Sequence, residues 1–230
     1  MKTIGLIGGM SWESSLEYYR VINEVVKEKL GGLHSAKCLM VSVDFAEIEQ
    51  MQHEGRWGDA AKVLVKAAQD LEKGGADFLV LCTNTMHLSA PEIIRNVTIP
   101  FLHIADATAE KIKQDGYKKI GLLGTKFTME QDFYKGRLTD RYGLEVLIPD
   151  EEQRDLVHQV IYNELCLGRI EPSSRQQYIK IIESLKARGA EAVILGCTEI
   201  ELLVKQSDSP LKVYPTTTIH AISAVEAALA

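Results

Sequence analysis

Short apolar runs alternate with longer stretches of helical periodicity over the whole chain. The runs at residues 3–8, 38–43, 78–82, 101–102, 118–124, 144–148, 192–195 and 212–214 read as strands. Between them, helical patterns cover 11–30, 59–73, 86–96, 103–114, 131–142, 150–167, 173–188, 199–204 and 219–230, and residues 45–57 read as helix and loop. The punctuation agrees with the periods. Ser11 stands as an N-cap candidate, Gly74-Gly75 and Gly143 as helix stops, Pro149 as a strand stop, and Gly168 with Pro172 as a break. Strands alternating with helices predict an α/β fold with parallel sheets, which bind ligands outside the carboxyl ends of their strands. The segments at those ends are polar turns: Gly8-Gly9-Met10-Ser11, Thr83-Asn84-Thr85, Thr125-Lys126-Phe127-Thr128, Cys197-Thr198-Glu199 and Pro215-Thr216-Thr217-Thr218.

The scheme occurs twice. Ile4-Gly5-Leu6-Ile7-Gly8 returns as Ile120-Gly121-Leu122-Leu123-Gly124, an offset of 116, and Leu79 to Thr83 lines up with Val193 to Cys197, an offset of 114. Two matched pairs at nearly one offset indicate an internal duplication. The expected organisation is two similar lobes of parallel sheet flanked by helices, residues 1–98 with 215–230 and residues 99–214. Facing lobes place Thr83 and Cys197 at equivalent points on opposite walls of one cleft.

Composition narrows the setting. Hydrophobic residues make up 46% and charged residues 25% of the 230, the profile of a globular protein. A net charge of −6 argues against nucleic acid or an anionic membrane as the main partner. The N-terminus runs straight into a strand without signal-peptide architecture, and no apolar run reaches the length of a membrane span. The cysteines at 38, 82, 166 and 197 show neither metal-type spacing nor a disulfide frame, so free thiols in a reducing cytoplasm and no metal site are expected.

Cys197 is the residue with the most chemistry. A cysteine at a strand-to-helix turn sits where unpaired amide N–H groups and the helix dipole favour an anion, so a thiolate of lowered pKa is expected there. The plainer alternative is a buried core thiol. The first glycine turn, Gly5-x-x-Gly8-Gly9, lacks the dinucleotide-binding spacing, and Asp44 is a poor match for the acid of that fingerprint. A nicotinamide-dependent dehydrogenase is therefore disfavoured. Bringing backbone N–H groups close to a small carboxylate suits the turn better.

Gly8-Gly9-Met10-Ser11-Trp12-Glu13, Thr83-Asn84-Thr85 and Gly196-Cys197-Thr198-Glu199 resemble the aspartate/glutamate racemase family. The resemblance runs over the whole chain. It implies two α/β lobes related by pseudo-twofold symmetry with the active site in the cleft between them, a homodimer, and no pyridoxal phosphate or other cofactor. It also implies a glutamate or aspartate substrate and two cysteines flanking Cα, one removing the α-proton and the other reprotonating the opposite face. The first cysteine of that pattern is replaced here by Thr83. Cys82 does not restore it, because adjacent strand residues point to opposite faces. A threonine hydroxyl is a much weaker proton carrier than a thiol. Cys197 is then the base for the L-enantiomer and Thr83 a poorer partner on the D side, with slow or lopsided rates.

Carbanion formation at Cα needs neutral donors for the substrate carboxylate. Asn84, Thr85 and Thr198, with the backbone at Met10 and Ser11, are the candidates, and Gln52 joins them by analogy with the family. For the side-chain carboxylate the choices are Thr125 and Thr128, or Lys126 and Arg169. Strict aspartate racemases tend to carry a lysine where this chain has Leu167, so glutamate or a broader preference stays open. His87 reads as structural, and Glu199 as either a partner of the helix dipole or a proton relay for Cys197. Two rivals remain: a single-cysteine decarboxylase of the same superfold, and a non-catalytic amino-acid-binding protein.

Overall fold

The computed structural model describes all 230 residues. The chain divides into two compact units, Met1–Ile104 with His220–Ala230, and Ala105–Ile219. Residues 99–104, which the sequence pattern assigned to the second lobe, fall in the first unit, because the strand they contain pairs with that unit's sheet.

The first unit runs β1 (Ile4–Gly8), α1 (Trp12–Leu30), β2 (Cys38–Ser42), α2 (Phe45–His53), α3 (Trp57–Lys73), β3 (Phe78–Leu81), a 3₁₀ turn (Thr85–Ser89), α4 (Ala90–Arg95) and β4 (Phe101–Leu102). All pairings are parallel, in the order β2-β1-β3-β4. The strands alternate between two apolar layers. Ile4, Leu6, Phe78, Val80 and Cys82 pack with Tyr18, Val21 and Ile22 of α1 and with Ala221, Ala224 and Val225 of the C-terminal segment. Ile7, Leu79 and Leu81 pack on the other face with Ile48, Leu64, Ala68, Leu71 and Ile93. A sheet covered on both faces requires such continuously apolar strands. Each buried aliphatic side chain contributes about 1.5–3 kcal/mol. Cys82 is therefore a core residue.

The second unit runs α5 (Ile104–Gln114, its first residue counted with the first unit), β5 (Lys119–Gly124), α6 (Lys126–Glu130), a π-helical turn (Arg137–Arg141), β6 (Glu145–Leu147), α7 (Glu151–Asn163), a 3₁₀ turn (Leu165–Leu167), α8 (Pro172–Ala187), β7 (Ala192–Gly196), α9 (Ile200–Leu203), another 3₁₀ turn (Gln206–Asp208), β8 (Lys212–Pro215) and the first turn of α10 (Thr216–Leu229), whose residues from His220 onward are counted with the first unit. Its parallel order, β6-β5-β7-β8, repeats that of the first unit. Val157, Ile161, Tyr178, Ile182 and Leu185 of α7 and α8 are buried, and both helices contact β5. No helix is long and apolar enough to cross a membrane.

The register carries the repeat to single residues. Ile7 pairs with Leu81 in the first sheet, and Leu123 with Leu195 in the second. Thr83 and Cys197 each lie two residues beyond those leucines.

Two elements depart from the sequence pattern. The helix expected over 131–142 is discontinuous. Thr125 caps α6 by accepting the Thr128 N–H, Gln131 then turns extended, and helical geometry resumes around Arg137, whose guanidinium pairs with Asp106 at 2.6 and 2.7 Å. Residues 216–218, expected as a turn, form the first turn of α10, immediately after Pro215 ends β8.

Candidate active site

In the first unit the turn after β1 is built by close backbone approach. Gly9 has φ of 93°, and a Cβ there would lie 2.2 Å from the Val43 carbonyl oxygen, so only glycine fits. The Gly9 N–H donates to Ser15 Oγ (2.8 Å), and the Ser15 hydroxyl donates to the Ser11 carbonyl (3.0 Å). Ser11 caps α1 through the Ser14 N–H, while the Ser14 hydroxyl donates to the Cys82 carbonyl at 3.1 Å. That last bond joins the Met10-Ser11 turn to the end of β3, where Thr83, Asn84 and Thr85 follow, all buried. Gln52 of α2 is buried near the same place and donates from Nε2 to Met86 Sδ at 3.0 Å.

His87 has a defined tautomer. Its Nε2 accepts the Ile104 N–H (3.2 Å), so Nδ1 carries the hydrogen and donates to the Thr83 carbonyl at 2.7 Å. The histidine holds backbone, as a structural residue does. The hydrogen bonds of Thr83 run through its main chain, its N–H donating to the Leu81 carbonyl.

In the second unit Gly196 ends β7 against Gly124 of β5. A Cβ at Gly196 would lie 2.9 Å from the Leu123 carbonyl oxygen and 3.4 Å from the Thr128 methyl. That approach sets Thr125 and Thr128, whose hydroxyls are 3.2 Å apart, beside the Cys197 turn. Cys197 Sγ donates to Glu199 Oε2 at 3.0 Å, and the Thr198 hydroxyl donates to the same oxygen at 2.6 Å. All three residues are buried.

The thiolate of lowered pKa expected at Cys197 is overturned. Burial pushes the thiol well above its ordinary value, the Glu199 carboxylate and then Cys166 add to the rise, and only the Glu199 backbone N–H opposes it. The reason is local: α9 is a single turn of four residues with little dipole to offer, while a carboxylate sits directly on the sulfur. Cys197 is a neutral thiol with a built-in proton acceptor.

Of the candidate cations, Lys126 forms an ion pair with Asp155, and Arg169 is exposed, its backbone N–H donating to the Glu164 carbonyl. Sequence reasoning missed two contributors. Thr216 donates its hydroxyl to the Leu195 carbonyl at 2.9 Å, holding the end of β7. Glu201 accepts the Thr217 N–H (3.0 Å) and the Thr218 hydroxyl (3.1 Å), and burial raises its carboxyl to about 7 against those bonds. A run of threonines directly after a strand-ending proline is a helix-start signal, and reading it as a turn hid both contacts.

A family model described as Asp/Glu/Hydantoin racemase matches residues 7–226. The broad specificity amino-acid racemase RacX of Bacillus subtilis is 28% identical over 172 residues, covering 74% of this chain and 72% of RacX. Among solved structures, a Yersinia pestis protein assigned to the Asp/Glu racemases is 55% identical with a TM-score of 0.94, each chain covered in full. An aspartate racemase homologue from Pyrococcus horikoshii OT3 is 36% identical with a TM-score of 0.86, again over the full length of both.

Proposed function

The chain belongs to the Asp/Glu/Hydantoin racemase family and is an amino-acid racemase, and on that premise we propose that it interconverts L- and D-glutamate or aspartate without a cofactor. Cys197 is the base for the L-enantiomer, and Thr83 stands where the family's first cysteine is expected. The observation that carries this reading is the buried Cys197–Glu199 pair at the carboxyl end of β7. The thiol proton passes along its 3.0 Å hydrogen bond to Glu199 Oε2, leaving a thiolate. The thiolate takes the hydrogen from Cα, and the electron pair left behind delocalises into the substrate carboxylate. Neutral donors suit that carboxylate because they stabilise the developing charge without quenching the thiolate. Asn84, Thr85 and the amides at Met10 and Ser11 are assigned this role, with Gln52 and Thr198 as further contacts. Thr125 and Thr128 are assigned to the side-chain carboxylate.

Reprotonation on the opposite face falls to Thr83 or to a water it holds. An alcohol is a far weaker acid than a thiol, so the D side turns over more slowly. Enantiomers have equal free energy, so the final mixture is still racemic and only the approach to it differs. The deciding experiment is Cα–H exchange in D₂O, followed by NMR, with both enantiomers of glutamate and aspartate. Exchange from the L-forms with slow appearance of D product is expected. No exchange from any amino acid sinks the reading. Carbon dioxide release from a malonate-type acid would then favour the single-cysteine decarboxylase that the Thr83 replacement also suits. A cytoplasmic homodimer is part of the same proposal, tested by sedimentation equilibrium.

A further inference from the structure

The two reactive positions are held by the same device, built from different side chains. By strand register, Thr83 corresponds to Cys197 at an offset of 114, and the same offset takes His87 to Glu201. The fourth strands correspond at an offset of 112, since Phe101 pairs with Leu79 and Val213 with Val193. That offset takes Ile104, the first residue of α5, to Thr216, the first residue of α10. In each unit, then, the side chain four residues past the reactive position accepts a backbone N–H from the first turn of the helix after the fourth strand. In the first unit, His87 Nε2 accepts from Ile104 N at 3.2 Å. In the second, Glu201 Oε1 accepts from Thr217 N at 3.0 Å.

We propose that Glu201 is a positioning residue for Cys197, tethering the Cys197-Thr198-Glu199 turn to the first turn of α10. Three contacts give the tether its reach. Thr216 holds the Leu195 carbonyl just ahead of the turn, while Thr217 and Thr218 hold Glu201 just behind it. The residues between are fastened at both ends to one rigid helical turn. Cys197 and Glu199 face each other across a single hydrogen bond, so small changes in the turn translate directly into misalignment of the thiol. Glu201 is absent from the groups that shift the Cys197 thiol, so it acts through position, not through its charge.

The experiment compares Glu201→Leu, Glu201→Gln and Thr218→Val. Leucine removes both acceptors while filling the space. Glutamine keeps an acceptor for the Thr217 N–H and offers Thr218 a donor in exchange. Two readouts are taken on the full-length protein: kcat and KM with L-glutamate, and the rate of Cys197 alkylation by iodoacetamide, read on the Cys197 peptide by mass spectrometry. Glu201→Leu is expected to lower kcat about tenfold while KM moves less than about twofold, and to raise the alkylation rate about tenfold as the turn loosens. Glu201→Gln is expected within about twofold of the parent on both measures, since the tether survives without the charge. A folded Glu201→Leu protein indistinguishable from the parent overturns the proposal, and so does a Glu201→Gln protein as impaired as the leucine variant. If Glu201→Leu does not fold, Thr218→Val decides: a smaller shift in the same direction supports the tether, and no shift overturns it. The kinetic arm rests on the racemase reading. Were the parent inactive on every amino acid, that reading would fall while the alkylation rates still decided the tether.

Discussion

The Thr83 turn and the Cys197 turn occupy the same place in two sheets of the same strand order, yet they are supported in opposite ways. At Thr83 the support reaches the backbone: His87, fixed in one tautomer by the Ile104 N–H, donates to the Thr83 carbonyl and leaves the hydroxyl uninvolved. At Cys197 the support reaches the side chain itself, through a buried carboxylate that accepts from the thiol. Behind Thr83 lies an aromatic layer, with the His87 ring tilted against His103 at 4.5 Å and edge-on to His220 at 6.0 Å between centroids, and Tyr18 donating to His220 Nδ1 at 2.8 Å. Behind Cys197 lie acids and hydroxyls. A repeated fold fixes where the two residues stand, and the residues two and four positions further on differ: Thr85 and His87 after Thr83, Glu199 and Glu201 after Cys197. The register pairs Thr85 with Glu199, so the first turn differs from the second at this position as well as at Thr83. The acceptor that serves the thiol is missing there as well.

The sharpest way to break this asymmetry is to remove its stronger half. Cys197→Ala is expected to reduce Cα–H exchange from L-glutamate by about 10²- to 10⁴-fold, the usual contribution of a positioned acid–base group. Exchange that survives the substitution would place the base elsewhere. The complementary variant, Thr83→Cys, supplies the weaker half with a thiol but no neighbouring carboxylate. Exchange from D-glutamate should rise about tenfold or more, narrowing the difference between the enantiomers. An unchanged D rate would mean that Thr83 does not face the reacting carbon.

Glu199→Gln separates charge from geometry. Without the carboxylate beside it, the Cys197 thiol should titrate at lower pH than in the parent, though burial still holds it up, and thiolate absorbance reads this directly. The proton acceptor is lost at the same time, so kcat is expected to fall about tenfold. A thiol titration that does not move would remove Glu199 from the account of Cys197. A smaller effect is expected at the first unit's support. His87→Leu orphans the Ile104 N–H and the Thr83 carbonyl, costing about 1–3 kcal/mol in urea unfolding, and it should slow exchange from the D-enantiomer more than from the L-enantiomer.

Much of this was legible in the chain before any coordinates. Continuously apolar runs such as 192–195 named the buried strands, and the two glycine-containing repeats gave offsets that the sheet register reproduces residue by residue. Periodicity also placed Thr83 and Cys197 at strand ends, because that needs only the strand's last apolar residue. What stayed hidden depended on local geometry or on partners distant in sequence. The state of Cys197 was misread because a dipole argument presumes a real helix, and a four-residue α9 with Glu199 on the sulfur reverses its sign. Thr125 starts a helix earlier than the pattern expects, at Lys126, and the chain turns extended at Gln131 before helical geometry resumes around Arg137, which a hydrophobic pattern does not register. Glu201 carries no signal of its own in the sequence, because nothing in its neighbourhood announces contacts with Thr217 and Thr218 sixteen and seventeen residues away.

That acid gives the smallest and cleanest contrast between the two supports. Burial raises the Glu201 carboxyl from its ordinary 4.5 to about 7, despite the bonds from Thr217 and Thr218 that favour its charged form. Between those two values the folded protein keeps a proton that the unfolded chain has already released. Stability attributable to this group therefore falls as pH rises from about 4.5 to about 7 and is level above it, with a slope of at most about 1.4 kcal/mol per pH unit. Glu201→Gln has no proton to release and should lack that component, so the pH dependence of its unfolding free energy should be flatter than the parent's across the window. Urea titrations of both proteins from pH 4.5 to 8 measure the difference. Parallel curves would mean that the Glu201 carboxyl titrates alike in the folded and unfolded chain, and that the tether at Cys197 is a charged one over most of that range.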